Sequence, residues 1–251
     1  MSYLMQRRRA LLAAMGGNSQ GEQEVDDGAV VCTYNVTDVS SATKIINTTQ
    51  NLSSVWIDGV QGSIETTHQF DTTGTHKIRF YYPNNIYYLP MNAFTGCTAL
   101  THVFVPSVIT TLNYADFKDC SNLLSVKLPS TLTGMSSGYL FTEAKSLVEV
   151  NIPEGVTVLG GDYTFHNNWS LPHIELPSTL TKIGNGAFNN CNSMEYIIIR
   201  ATTPPEITAS SSTFNSNGCP IYVPDESVAA YKAETNWAQF ESRILPLSQF
   251  S

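Results

Sequence analysis

Residues 174–194 read IELPSTLTKIGNGAFNNCNSM, and this pattern runs five times through the middle of the chain. Each copy has a proline that ends a short strand, at Pro83, Pro106, Pro129, Pro153 and Pro177. Each also has a phenylalanine, and both series advance by 23 or 24 residues: Phe94, Phe117, Phe141, Phe165 and Phe188. Such a period is typical of one supersecondary unit stacked on copies of itself, because a single unit cannot bury its apolar face. The pattern predicts a β-rich solenoid.

The residues between these anchors predict a continuous core. In each rung, meaning one copy of the repeat, the first inward position holds Ile86, Ile109, Leu132, Val156 or Leu180. The second holds Leu89, Leu112, Met135, Leu159 or Ile183, and the rung closes at Leu100, Leu123, Leu147, Leu171 or Met194. Each large side chain that is buried contributes about 1.5–3 kcal/mol. The third and fourth rungs carry one extra residue, which we expect to bulge opposite the proline strands.

The chain before the repeats has two parts. Residues 1–27 predict an amphipathic helix over 1–17 and a flexible acidic linker, and this segment could dock on a larger assembly. Its apolar stretch at 10–15 is short for a secretion signal, so we interpret it as a retained helix. Residues 28–75 predict a small β cap, with strands in AVVCTYNVTDV (29–39) and SSVWIDGV (53–60). A hairpin is predicted in HQFDTTGTHKIRFYY (68–82), leading directly into five to six repeats at 76–199.

The period fails after Ile199, and residues 200–251 predict a C-terminal cap. Residues 221–223 have the composition of a last strand, and Asp225 is well placed to cap a short helix. An apolar lid is predicted from Trp237, Phe240, Ile244 and Leu245. A stack of rungs needs such caps because its terminal rungs otherwise expose apolar surface and an open strand edge.

Composition argues against nucleic-acid binding and against a membrane span. The chain of 251 residues has a net charge of −8, and its basic cluster, residues 7–9, lies outside the repeats. A nucleic-acid-binding protein usually carries a basic face, so nucleic acid is not an expected partner. No run of 18 apolar residues is present, so no membrane span is predicted.

The cysteines point to packing rather than to metal binding. Cys97, Cys120 and Cys191 each lie three residues after an anchor phenylalanine, where the other two rungs have Ala144 and Asn168. Exchange with alanine indicates a small buried position. A disulfide between Cys97 and Cys120 is an alternative, since neighbouring rungs bring the two cysteines close together. No CxxC pair exists, so no zinc site is predicted.

No constellation of residues predicts catalysis. Residues 41–44 match SxxK, but the partner motifs of that chemistry do not follow. His102 and His173 fall on outward strand positions three rungs apart, about 15 Å at the spacing of strands, which is too far to share a metal. We therefore expect no catalytic residue, no cofactor and no metal site.

The outward face of the strand ladder is the candidate binding surface. By strand alternation, it holds Arg79, Tyr81, His102, Phe104, Ser125, Lys127, Glu149, Asn151, His173, Glu175, Tyr196 and Ile198. Several of these side chains are apolar enough that exposure to water needs a reason, and one reason is a protein or glycan partner that contacts aromatic faces. The alternatives are cross-strand packing of ordinary surface residues or cover from the caps.

The repeat VxIPxxVxxIGxxAFxxCxxL, most complete in residues 174–194, resembles the BspA-like leucine-rich repeats of gut and oral bacteria. The tail TPPEI…IYVPDESVAAYKAETNWAQF is similar to the unit that often ends such arrays. The region YNVTDVSSATKI…WIDGV…FDTTGTHKIRFYY resembles the leader of such arrays in gut Bacteroidales and their phages. The resemblance implies a right-handed solenoid with a parallel sheet on its concave face, in a surface protein that binds host proteins or mediates adhesion. No ligand residue transfers, because the motif residues are structural.

Two functions follow as expectations. The first is a non-enzymatic binding or adhesion module that displays the strand face to a protein or glycan on a cell surface. The second is a structural or decoration protein of a phage particle, docked through residues 1–17. The N-terminus MSYLMQRRRALLAA lacks a convincing export signal and looks more like phage- or prophage-encoded relatives. We therefore expect a surface-exposed protein, placed either on the bacterial cell or on a virion.

Overall fold

The phenylalanine of each rung lies over that of the rung before it. The computed structural model describes residues 24–207, 211–214 and 218–250. From Phe94 to Phe188, successive ring centroids are 5.1–5.6 Å apart, and the rings lie within 9° of parallel. These rings are fully buried, as are the predicted inward residues, with Ile86 partly buried. The predicted core is therefore confirmed.

The strands form four sheets. Their bounds are β1 Ala29–Val36, β2 Thr43–Lys44, β3 Ser54–Ile57, β4 Val60–Gly62, β5 Thr67–His68, β6 Gly74–Tyr81, β7 Leu100–Phe104, β8 Ser125–Lys127, β9 Glu149–Val150, β10 Val158–Leu159, β11 His173–Leu176, β12 Lys182–Ile183, β13 Tyr196–Ile199, β14 Ile221–Val223 and β15 Ile244–Pro246. The orders within the sheets are β4-β3-β6-β1-β7-β8-β9, β11-β13-β14-β15, β10-β12 and β2-β5. The strands of successive rungs pair in parallel, as β7 does with β8 and β11 with β13.

The N-terminal strands pair differently from the prediction. The hairpin predicted over residues 68–82 is wrong, since β5 pairs with β2, whereas β6 pairs antiparallel with β1 and β3. Strand β1 also lies between β6 and β7, so β6 does not lead directly into the ladder of rungs. The alternation predicted for β6 is confirmed, because Ile78 and Phe80 are fully buried.

The strand ladder is interrupted between the fourth and fifth rungs. The described strands β9 and β11 belong to different sheets. In neighbouring rungs, a backbone N–H at the start of the strand bonds to the preceding rung, as Leu124 does to Thr101 and Val148 to Leu124. The fifth rung has Pro172 at this position, which has no N–H to donate. The seven-stranded sheet therefore ends at β9, and the four-stranded sheet begins at β11, directly after this proline.

The stack of rings continues past the predicted boundary at residue 199. Phe214, at the end of the 3₁₀ turn Ser211–Phe214, stacks on Phe188 at 5.7 Å and 9°. Its far side meets Trp237 and Phe240, at centroid distances of 5.4 and 5.3 Å. Sequence periodicity predicted five to six rungs within residues 76–199 and did not extend the stack to Phe214, because 26 residues separate the last two phenylalanines.

The chain after β14 packs over this sixth rung. It contains the 3₁₀ turn Asp225–Ser227, the α-helix Val228–Ala233 and two further 3₁₀ segments, Ala238–Arg243 and Leu247–Gln249. The helix is present as predicted, but Asp225 does not cap it. Its carboxylate instead accepts a hydrogen bond from the backbone N–H of Ser248, at 2.9 Å. The predicted helix over residues 1–17 lies outside the described residues.

In three rungs, the side chain three residues after the phenylalanine bonds to the rung before it. All five cysteines are described and buried, and none of them forms a disulfide, so the predicted alternative of a Cys97–Cys120 bridge is wrong. The thiols of Cys120 and Cys191 lie 3.0 and 3.1 Å from the carbonyl oxygens of Phe94 and Phe165. Asn168 donates to the Phe141 oxygen at 2.8 Å, but its own Oδ1 is buried without a partner in the described structure. A buried acceptor without a partner costs about 1–3 kcal/mol.

We predict that Asn168→Cys stabilises the protein by about 1 kcal/mol, because a thiol keeps a donor to Phe141 and removes the unpaired oxygen. The reverse change in the next rung, Cys191→Asn, should destabilise by a similar or larger amount. Urea unfolding of wild type and of both variants measures these two changes in the free energy of unfolding. Equal stability of Asn168→Cys and wild type would contradict the account.

Asp116 is a fully buried carboxyl group between the first two rungs. Its oxygens accept hydrogen bonds from the backbone N–H groups of Asn113 and Ala93, at 2.7 and 3.3 Å. Burial raises its pKa well above the usual range, and these two bonds only partly oppose the shift. The folded state therefore holds this proton to a higher pH than the unfolded chain does.

In the unfolded chain the Asp116 carboxyl ionises at a pH of about 4, whereas in the folded state its pKa is higher. We therefore expect the contribution of Asp116 to the free energy of unfolding to fall as the pH rises from the first pKa toward the second. The folded state binds more protons in this window, so the free energy of unfolding of the wild type should decrease relative to that of Asp116→Asn. Urea titrations at pH 4 and pH 7 compare the two proteins, with the exposed Asp162→Asn as control. A wild-type-to-variant difference that is the same at both pH values would contradict this prediction.

Candidate functional site

The middle of the predicted strand face is open and chemically mixed. We call it the central face, formed on β7, β8 and β9 and the residue after β9 by His102, Phe104, Ser125, Lys127, Glu149 and Asn151. Its register places His102, Ser125 and Glu149 in one row, and Phe104 beside Lys127. Lys127 and Asn151 are exposed, and the other four are partly exposed. The structure therefore brings these six predicted residues together.

Contacts within the central face hold several of its side chains. The Lys127 ammonium lies 5.7 Å from the centroid of the Phe104 ring, within the range of a cation–π contact. Asn151 bonds with both the backbone N–H and the carbonyl of Leu128, at 2.9 and 3.0 Å, and so extends the ladder beyond β9. Burial lowers the pKa of His102, and the carboxylate of Glu149 acts in the opposite direction. The face thus offers an aromatic ring, a cation and a carboxylate within three strands.

The N-terminal end of the predicted face is covered by the chain itself. Arg79 forms ion pairs with Glu24 and Asp27, at 3.1 and 3.2 Å, and the Tyr81 hydroxyl donates to Asp27 at 2.8 Å. Strand β1 further separates these two residues from β7, with Val31 between Arg79 and Phe104 in the register. Arg79 and Tyr81 therefore do not neighbour the central face, although both are partly exposed, and their part in binding stays a prediction.

The C-terminal end is covered by aromatic packing. Tyr196 stacks on His173 at 5.0 Å and contacts the Phe250 ring at 4.7 Å. Ile198, predicted to face outward, is only 5% exposed. Glu175 is exposed and pairs with Arg200 at 2.5 Å. These four predicted residues lie on the second sheet, beyond the interruption at Pro172, and do not join the central face.

The sequence left cover from the caps as an alternative but did not identify the segments that cover the two ends. Residues 24–27 have an acidic composition typical of a linker, and Phe250 is the penultimate residue of a tail without periodicity. Their contacts with the strand face join positions far apart in sequence. The one available signal is charge, since three acids precede a strand face that carries Lys77 and Arg79.

The described residues contain no group of three or more His, Cys, Asp or Glu side chains that could hold a metal ion. The lysine of the SxxK match, Lys44, donates to Asn47 Oδ1 and to the Thr95 carbonyl, at 2.7 and 2.6 Å. These contacts give it a role in joining the N-terminal strands to the first rung. Within the part of the chain that the structure describes, no helix is long and apolar enough to cross a bilayer.

The family model of the BspA-type leucine-rich repeat region matches residues 44–163 and 160–221, in six copies. The chain belongs to the BspA-type leucine-rich repeat family. Six copies agree with the six stacked phenylalanines, the last of them Phe214. The resemblance seen in the sequence is thus confirmed, together with a leucine-rich repeat fold.

Comparisons with solved structures and with curated proteins add little to this result. The crystal structure of a leucine-rich repeat protein from Bacteroides ovatus is similar to this chain, with 18% sequence identity and a TM-score of 0.41. The match covers 61% of this chain and 46% of that one, so the chain corresponds to less than half of its length. No curated protein matches.

Proposed function

We propose that this protein is a non-enzymatic binding or adhesion module that recognises a protein or glycan on a cell surface through its central face. The observation that carries the proposal is the limited extent of that face. Acidic residues cover one end of the predicted strand surface and an aromatic cluster covers the other, whereas the middle stays open.

The chemistry of the central face suits recognition. Phe104 supplies an apolar surface, and Lys127 and Glu149 supply opposite charges on neighbouring strands. Aromatic residues beside charges at the centre of a patch are typical of binding hot spots. The backbone beneath them is a hydrogen-bonded sheet, so binding requires little ordering of the site.

Membership of the family supports the same function. BspA-type repeats generally occur in protein-binding or adhesion modules, which are often surface-associated. We extend this to the present chain and place it on a cell surface. We also infer that the stack is right-handed, as the resemblance implies, and that residues 28–75 and the part of the predicted cap 200–251 that follows the sixth rung serve as its caps. Docking through residues 1–17 stays a prediction.

We expect Phe104→Ala and Lys127→Glu each to weaken binding of the surface ligand by about tenfold or more, since substitutions at hot spots cost about 2 kcal/mol or more and about 1.4 kcal/mol is tenfold in Kd. Arrays of immobilised cell-surface proteins and glycans, probed with the full chain, identify the ligand and compare the variants. Tyr114→Ala is the matched control, because Tyr114 is 45% exposed and lies off the strand face. Unchanged binding by both face variants, with folding intact by circular dichroism, would refute the proposal.

A further inference from the structure

One exposed tryptophan occupies a position that small or polar residues fill in the other rungs. Four residues after each phenylalanine, the successive rungs have Thr98, Ser121, Lys145, Trp169 and Asn192. The Trp169 side chain is 46% exposed, unlike Trp237, which is fully buried in the last rung. Trp169 is therefore not required by the repeat, and its ring is presented to solvent on the turn side of the stack.

A chain of polar side chains leads to this ring. Asn190 donates to Asn167 Oδ1 at 2.9 Å, and Asn167 in turn donates to Glu143 Oε1. Glu143 also pairs with Lys145 at 3.1 Å, and the Lys145 ammonium lies 4.6 Å from the indole centroid. Amide and carboxylate groups of three rungs are thus linked, through Lys145, to one exposed aromatic ring.

The backbone holds these polar side chains rigidly. Glu143, Asn167 and Asn190 have φ values of 64°, 60° and 61°, in the left-handed region. This conformation costs roughly 1–2 kcal/mol for an ordinary residue and less for asparagine. Each of the three lies two residues after its phenylalanine, so the stack of rings sets their spacing. The donors and acceptors are therefore in place before any ligand arrives.

The surroundings of Trp169 favour a sugar over a protein. A protein interface needs a well-packed apolar core, and here the ring contacts the Lys145 ammonium, which pairs with Glu143 and through it with Asn167. A pyranose has one apolar C–H face and a rim of hydroxyl groups that both donate and accept. One exposed ring linked to fixed amides matches that chemistry. Glu143 neutralises Lys145, and burial, which alone would raise the Glu143 pKa, is outweighed by the bonds from Asn167 and Lys145, which lower it.

We propose that Trp169, Asn167 and Glu143 form a binding site for a neutral, pyranose-containing glycan, separate from the central face. The sugar ring stacks on the indole, and its hydroxyl groups bond with the linked amides. Because Lys145 and Glu143 pair with each other, the site has no unpaired charge to select an anionic sugar.

The test uses the full chain on an array of immobilised neutral and acidic glycans, followed by calorimetry with the soluble form of a neutral glycan that binds. Trp169→Ala should weaken that binding at least tenfold. Asn167→Gly, which removes the amide but keeps the left-handed backbone unstrained, should weaken it by about threefold or more. Trp56→Ala is the control, because Trp56 is 38% exposed at the other end of the molecule.

Three results would overturn this inference. They are no binding of wild type to any neutral glycan, an unchanged affinity of Trp169→Ala, and a preference for acidic glycans that is lost in Lys145→Met. The face variants Phe104→Ala and Lys127→Glu should keep full affinity for the neutral glycan. The two proposals therefore fail independently, because each depends on its own variants.

Discussion

Stacking of one phenylalanine on the next constrains everything else in this molecule. The rings repeat at 5.1–5.7 Å from Phe94 to Phe214, close to the spacing of about 4.8 Å between paired strands. Each rung must return its ring to the same place, so insertions are accommodated only in the turns. The third and fourth rungs each contain one extra residue and the sixth contains more, yet the ring of each stays in the stack.

This constraint separates the scaffold from its surfaces. Inward positions must be apolar, and the residues beside each ring must accept a left-handed backbone, as Ala115, Tyr139 and Tyr163 do two residues before it. Positions that point outward from the strands or the turns are free to vary. The central face and the Trp169 site both lie at such positions, which is why they differ between rungs whose cores are alike.

Much of the scaffold could be predicted from the sequence, because the residues that determine it recur at a regular spacing along the chain. The proline and phenylalanine series identified the rungs, and the inward ladders identified the core. Non-periodic contacts could not be predicted in this way. The insertion of β1 between β6 and β7, and the cover that Asp27 and Phe250 give to the strand face, join segments far apart in the chain. The effect of Pro172 was visible in principle, since proline lacks the N–H that this position donates in neighbouring rungs.

The buried thiols have a consequence for the redox chemistry of the folded chain. Burial raises the pKa values of Cys97 and Cys191 to about 12, and it also raises that of Cys120 well above its usual range. Thiolate is the species that attacks disulfides and reacts with oxidants, and in the folded state little of it forms at these three buried positions. We therefore expect these three cysteines to exchange with disulfides only slowly while the stack of rungs is folded.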